Sequence, residues 1–88
     1  MVVYTIRFSK KADKDKTFIK RSGFEKTTRE LLRIVAENPY QNPPPYEKLQ
    51  GKLSGKLSRR INIQHRLVYE VFEMDKTVKI LSLWTHYE

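Results

Sequence analysis

Eighty-eight residues and 10.5 kDa describe a single domain, 1–88, with a small core, since chains divide into separate cores only well beyond about 200 residues. Eighteen Lys and Arg against ten Asp and Glu leave a net charge of +8 and an isoelectric point near 9.9, a field that favours polyanions: RNA, DNA, an acidic membrane face or an acidic protein segment. The chain has no cysteine, which excludes disulfide scaffolds, zinc fingers and thiol catalysis, and its two histidines are too few for most metal sites, so no metal or cofactor is expected. Residues 1–8 alternate polar and apolar instead of forming the apolar stretch of a signal peptide, and no run reaches the roughly 18 to 20 apolar residues of a membrane helix. The expectation is a soluble cytoplasmic protein with no membrane partner.

Val2, Tyr4, Ile6 and Phe8 alternate with Val3, Thr5 and Arg7, the period of two of a first strand. Ser9 then caps a helix over about 10–20, where Ala12, Asp15 or Lys16, and Ile19 mark a weak inward stripe on a highly charged surface. Ser22-Gly23-Phe24-Glu25 has the spacing of a capping box and predicts the start of a second helix there. In that helix Phe24, Thr28, Leu31, Leu32 and Val35 share one side, Glu25, Arg29 and Arg33 the other, and Asn38-Pro39 ends it. The proline-rich stretch 40–45 reads as an extended loop. Short β-type runs follow at 47–50, 56–63, 66–72 and 77–85, separated by turns at Gly51, Gly55 and 74–76. Consecutive strands with short turns form an antiparallel meander. The predicted class is α+β in the order β-α-α-β-β-β, with two N-terminal helices packed on one face of a mainly antiparallel twisted sheet and the other face open.

The charge is concentrated. Between Lys48 and Tyr69 there is no carboxylate, yet Lys48, Lys52, Lys56, Arg59, Arg60 and Arg66 all lie there. Lys10, Lys11, Lys14, Lys16, Lys20 and Arg21 form a second cluster, diluted by Asp13 and Asp15, which reads equally as solvated helix surface. A sheet face carrying Arg and Lys beside Tyr46, Phe72, Trp84 and Tyr87 would hold single-stranded nucleic acid, phosphates on the cations and bases on the rings; Phe72 and Trp84 read better as core.

Cutting RNA without a metal needs a base for the 2′-hydroxyl proton, a cation for the charge developing on phosphorus, and an acid for the departing 5′-oxygen. Glu47 is the one acid between Glu37 and Glu70: a candidate base, or else a surface glutamate paired with Lys48 or Lys52. Arg66 shares a strand face with Val68 and Glu70, opposite Leu67, Tyr69 and Val71; it is a phosphate clamp on the open face or a strand arginine bonded to Glu70. His65 points the other way and suits packing or hydrogen bonding. His86, with an unperturbed pKa of about 6.5, is a candidate general acid, or a frayed terminal residue without a role. Tyr87 could stack on a base, donate a hydrogen bond or cover the sheet.

Tyr46-Glu47-Lys48-Leu49, Leu53-Ser54-Gly55, Ser58-Arg59-Arg60-Ile61, His65-Arg66-Leu67-Val68-Tyr69 and His86-Tyr87 together resemble the YoeB/Txe toxins of the RelE superfamily. The likeness is densest from Glu47 onward. It implies a RelE-like fold and a toxin of a bacterial type II toxin-antitoxin pair that enters the ribosomal A site and cuts the mRNA there, halting translation. It also implies roles: Glu47 as general base, Arg66 and Arg60 at the phosphate, His86 as general acid and Tyr87 positioning the nucleotide. Arg59, Lys52 and Lys48 are further candidates for binding substrate. Where the family often has a lysine this chain has Gln50, so Lys48 or Lys52 would have to substitute, and Glu88 adds carboxylates beyond the usual terminal tyrosine. The partners implied are an acidic antitoxin of the YefM/Axe kind, the ribosome and mRNA, a homodimer, and operator DNA only through the antitoxin complex. The competing reading is a non-catalytic basic module that binds RNA or the ribosome; a DNA-binding repressor acting alone lacks a helix-turn-helix.

Overall fold

The computed structural model describes residues 3–85, and side chains as far as Leu83. Val2, the Trp84 side chain and His86, Tyr87 and Glu88, all named above, lie outside the described residues. The elements are β1 (Thr5–Phe8), α1 (Lys10–Ser22), α2 (Glu25–Glu37), β2 (Glu47–Lys48), a 3-10 turn (Gly51–Leu53), β3 (Leu57–Arg60), β4 (Arg66–Phe72) and β5 (Thr77–Thr85). They build one sheet in the order β1-β5-β4-β3-β2. The expected antiparallel meander runs from β2 to β5, and β1 joins its far edge parallel to β5. Both helices sit on one face, where Ala12, Ile19, Leu31 and Val35 pack on Leu57, Leu67, Tyr69, Val78, Ile80 and Leu83.

Local chemistry explains most boundaries. Ser9 is extended, and its hydroxyl accepts from the Ala12 amide at 3.1 Å as the helix N-cap. The capping box is a correction: α1 continues to Ser22, whose hydroxyl donates back to the Ile19 carbonyl at 2.7 Å and accepts from the Phe24 amide. Gly23, at φ +85°, supplies the left-handed C-cap that ends α1 after Ser22, and Phe24 caps α2 without a side-chain bond. Glu25 pairs forward with Arg29 instead. In α1, Lys11 pairs with Asp15 and Lys16 with Asp13, so its cations belong largely to helix surface. The strand predicted over 56–63 ends at Arg60, because Asn62 Oδ1 accepts from the amides of Gln64 and His65 and turns the chain. His65, as expected, serves this turn, its carbonyl accepting from Ile61 and Asn62.

Strand β5 departs from simple alternation. Opposite Arg66, Val68 and Tyr69 it presents Thr85, Ser82 and Ile80, so it carries extra residues at two points. The backbone groups displaced there are taken by α1 side chains. The Ser9 hydroxyl donates to the Leu81 carbonyl at 3.0 Å, and the buried Asp15 carboxylate accepts the Leu83 amide at 2.9 Å. The first helix is therefore bonded, as well as packed, to the strand that ends the described chain.

Two sequence expectations fail on strand parity. Phe72, read as core, is 40% exposed, because it shares the open face with Val68 and Glu70 at the end of β4. Arg59, read as a substrate-binding cation, is 1% exposed and faces the helical side beside open-face Arg60. Its Nη1 donates to the Pro44 carbonyl at 2.6 Å, Nη2 to Pro39 and Gln41 at 3.1 and 2.9 Å, and Nε to the Tyr69 hydroxyl at 3.1 Å. Tyr69 in turn donates to Pro39 at 2.7 Å. The guanidinium also lies 5.2 Å from the Tyr46 ring, which packs edge-on to Tyr40, so Tyr46 is occupied within the protein rather than offered to a base.

Across the molecule the Glu73 carboxylate accepts from the Tyr4 hydroxyl at 2.8 Å and the Tyr40 hydroxyl at 3.0 Å, with Lys76 at 3.5 Å. These bonds, from Tyr4 first and Tyr40 next, hold the Glu73 carboxyl below its ordinary 4.5.

Arg59→Lys is expected to cost about 3–5 kcal/mol in urea unfolding, because one ammonium cannot serve four acceptors fixed around a planar fork. An unchanged midpoint would show that the loop holds itself. Since the folded pKa of Glu73 is depressed, its contribution is present above the ordinary glutamate range and disappears as pH falls through the lowered folded value. Glu73→Gln should flatten the acid limb of the stability–pH curve below about pH 4.5 while leaving its neutral plateau shape unaltered, which acid titration of the melting temperature checks.

Candidate active site

The open face of the sheet concentrates the cations. Residue parity on β3 puts Ser58 and Arg60 on that face, and parity on β4 adds Arg66 and Val68. Strand β2, held to β3 by only two residue pairs, sets Glu47 directly opposite Ser58, while Arg60 stands opposite Arg66. Pro45, Glu47, Ser58, Arg60 and Arg66 line one cleft of about 300 Å³. Glu47 and Arg66 face each other across it, Oε1 to Nη1 at 3.6 Å.

That distance identifies the ion-pair partners of both residues. Glu47 pairs with Arg66, not with Lys48 or Lys52, and Glu70, the alternative partner of Arg66, turns to Lys56 at 3.8 Å. The Glu47–Arg66 contact exceeds the 2.7–2.9 Å of a tight charge-assisted hydrogen bond. It is an open ion pair that, among the described residues, leaves guanidinium donors for a further anion. The Arg66 side chain is one-quarter exposed and that of Glu47 two-thirds exposed, so the carboxylate forms the mouth of the cleft and the guanidinium its wall.

The Pro-rich loop delivers Glu47 to this position. Its carbonyls at Pro39, Gln41 and Pro44 converge on buried Arg59, and the chain leaves Pro44 for Pro45 and then enters β2. On the other side, β5 pairs Thr85 with Arg66 in backbone register, so the described chain ends opposite Arg66, at the residue that precedes His86 in the sequence.

Of the residues singled out from sequence, Glu47, Arg60 and Arg66 come together, and His86 and Tyr87 lie outside the described residues. Lys48 and Lys52 do not join them. Lys48 follows Glu47 with its side chain on the reverse face, lining a separate cleft with Tyr40, Leu49 and Leu57, and Lys52 is exposed on the 3-10 turn. Arg59 is spent on the loop. Sequence reasoning missed Ser58, whose signal was its place two residues before Arg60 on the same strand face. Among the described residues no group of three or more His, Asp or Glu side chains could hold a metal ion, and no helix is long and apolar enough to cross a membrane.

The chain matches the family described as YoeB-like toxin of bacterial type II toxin-antitoxin system over residues 8–87. Toxin YoeB of Synechocystis sp. is 36% identical over 74 residues, covering 84% of this chain and 77% of that protein. Toxin YoeB of Mycobacterium bovis is 42% identical over 65 residues, covering 70% and 74%. Among solved structures, a YoeB/ParE toxin from Agrobacterium tumefaciens superposes with a TM-score of 0.86 at 25% identity over 94% of this chain and 99% of that one. A YoeB-YefM complex from Staphylococcus aureus gives 0.80 at 37% identity over 96% and 98%. With the family match running from the end of β1 to the penultimate residue, and relatives of this name agreeing in sequence and in fold, the chain belongs to the YoeB-like toxins of bacterial type II toxin-antitoxin systems.

Proposed function

We propose that this toxin is an endoribonuclease that cuts mRNA in the ribosomal A site by acid–base chemistry and so halts translation. The observation that carries the reading is the Glu47–Arg66 pair, 3.6 Å apart in a cleft shared with Arg60, on the face the helices leave uncovered. A carboxylate at the mouth takes the 2′-hydroxyl proton, and the freed oxygen attacks the adjacent phosphorus. Arg66 and Arg60 neutralise the charge that grows on the non-bridging oxygens. The bond from phosphorus to the 5′-oxygen breaks, and His86, entering as imidazolium, protonates that oxygen. Tyr87 positions the nucleotide. The products are a 2′,3′-cyclic phosphate and a free 5′-hydroxyl, and every proton and bond is accounted for by the groups named.

A domain of net charge +8 with this activity needs neutralising in its own cell. We assign that role to an acidic antitoxin segment laid over the basic open face, in line with the solved YoeB-YefM complex, and a homodimer is supported by the solved YoeB dimer from Staphylococcus aureus. The site of action is the cytoplasm, where ribosomes and operator DNA, the latter reached through the antitoxin complex, are both present.

Mapping mRNA ends on programmed ribosomes tests the chemistry. Glu47→Ala and His86→Ala should each lower cleavage by roughly 100- to 10,000-fold while ribosome binding stays close to the unsubstituted level. Arg66→Ala should lower affinity and cleavage together. Cutting that survives in the Glu47→Ala, His86→Ala double variant, or that EDTA abolishes without disturbing the ribosome, would remove this mechanism; binding without any cutting would leave a passive RNA-binding module. Co-expression with the adjacent reading frame should restore growth and yield a co-purifying acidic protein. A toxin harmless by itself and without such a companion would defeat the antitoxin assignment.

A further inference from the structure

Across the middle of the open face runs the row Glu47, Ser58, Val68, Ser82, each directly opposite the next on neighbouring strands. Ser58 is 1% exposed, lines the Glu47–Arg66 cleft, and its hydroxyl has no hydrogen-bond partner among the described residues. Buried hydroxyls are nearly always bonded, because an unpaired one has surrendered its water without return. A hydroxyl kept in that condition at the floor of a cleft is a group held ready for something that enters the cleft.

The neighbours define what that is. Ser58 stands two residues from Arg60 on one strand, a separation of roughly 6.6 Å, and directly across from Glu47, with Arg66 opposite Arg60. Two guanidinium groups offer N–H donors from the walls and a carboxylate guards the mouth. The group that fits between them is an anion with several acceptor oxygens arranged around one centre. A phosphodiester has this form, and the Ser58 hydroxyl supplies a third, neutral donor. A hydroxyl aimed at one oxygen, like the two guanidinium groups beside it, bonds more strongly as that oxygen gains charge.

We propose that Ser58 Oγ donates a hydrogen bond to a non-bridging oxygen of the scissile phosphate, completing a three-donor cradle with Arg60 and Arg66. The assignment rests on the nuclease reading for the word scissile, but not for the phosphate contact itself. It makes Ser58 a substrate-binding residue whose hydroxyl contributes to function and little to the fold.

The experiment compares the full-length toxin with Ser58→Ala and Ser58→Thr in three measurements: thermal unfolding, cleavage on programmed ribosomes, and binding of a short single-stranded RNA with a 2′-deoxy residue at the cut site. Ser58→Ala removes a hydroxyl that has no described partner, so its melting temperature should equal or exceed that of the unsubstituted toxin. Its cleavage rate should fall roughly tenfold to a hundredfold, and its affinity for the uncleavable RNA should fall severalfold. Ser58→Thr keeps the donor and should recover most of both. A Ser58→Ala toxin that cuts and binds normally, or that loses melting temperature in step with activity, would overturn the proposal. If the unsubstituted toxin cuts no RNA yet Ser58→Ala still weakens binding, the nuclease reading falls and the phosphate contact stands; if it cuts and Ser58→Ala changes nothing, the reverse holds.

Discussion

The site depends on a guanidinium that never touches it. Arg59 is buried, and its fork donates to three carbonyls of the proline-rich loop and to the Tyr69 hydroxyl, with no carboxylate among those bonded partners. A buried charge without compensation is strongly destabilising, so the carbonyl dipoles must all be in place at once. This all-or-none demand turns a loop that forms no ladder of its own into a fixed strut. Glu47 follows that strut directly, and β2, two residues long, could not by itself hold a carboxylate opposite Arg66. The adjacent Arg60 lies on the opposite face and lines the cleft with Glu47 and Arg66, one residue apart on a strand whose parity sends the two guanidinium groups to opposite sides.

A second constraint comes from α1. Bulges in β5 displace backbone groups that the sheet cannot use, and Ser9 and Asp15 bond two of them, at Leu81 and Leu83. Regular pairing along β5 would keep one strict alternation to its end. The extra residues re-aim the strand so that Thr85, rather than a residue nearer the middle, arrives opposite Arg66. The helix that looked like little more than a charged surface thus helps determine where the last strand finishes, and two of its cations, Lys11 and Lys16, are engaged with its own carboxylates.

Between these two supports the open face is arranged for an anion and is expensive when empty. Arg60 and Arg66 stand opposite each other with like charge, relieved among the described residues by the loose contact to Glu47, and a hydroxyl lining the same cleft lacks a described partner. Such features lower the stability of the free domain and raise its affinity for whatever supplies the missing acceptors. Polyanionic RNA would do so, and an acidic protein segment would do so by the same chemistry, so one face suits both the proposed target and the proposed inhibitor.

The sequence by itself determined the class and the sign of the partner. Alternation in 2–8, the helical stripes and the closely spaced strands after Gly55 imply two helices on a sheet, and the carboxylate-free stretch between Lys48 and Tyr69 implies a basic open face. That Glu47 and Arg66 belong to one site was implied by the family likeness alone, whereas the partners read from sequence, Lys48 or Lys52 and Glu70, are not the ones the fold forms. Tertiary structure alone decided which of two adjacent arginines is buried, because Arg59 acquires its meaning from loop carbonyls fifteen and more residues earlier in the chain. It alone sent Lys48 to the reverse face, exposed Phe72, extended α1 into the apparent capping box, and set Ser58 in the lining of the cleft. Those outcomes depend on register, bulges and long-range hydrogen bonds, which couple distant residues and leave no local pattern to read.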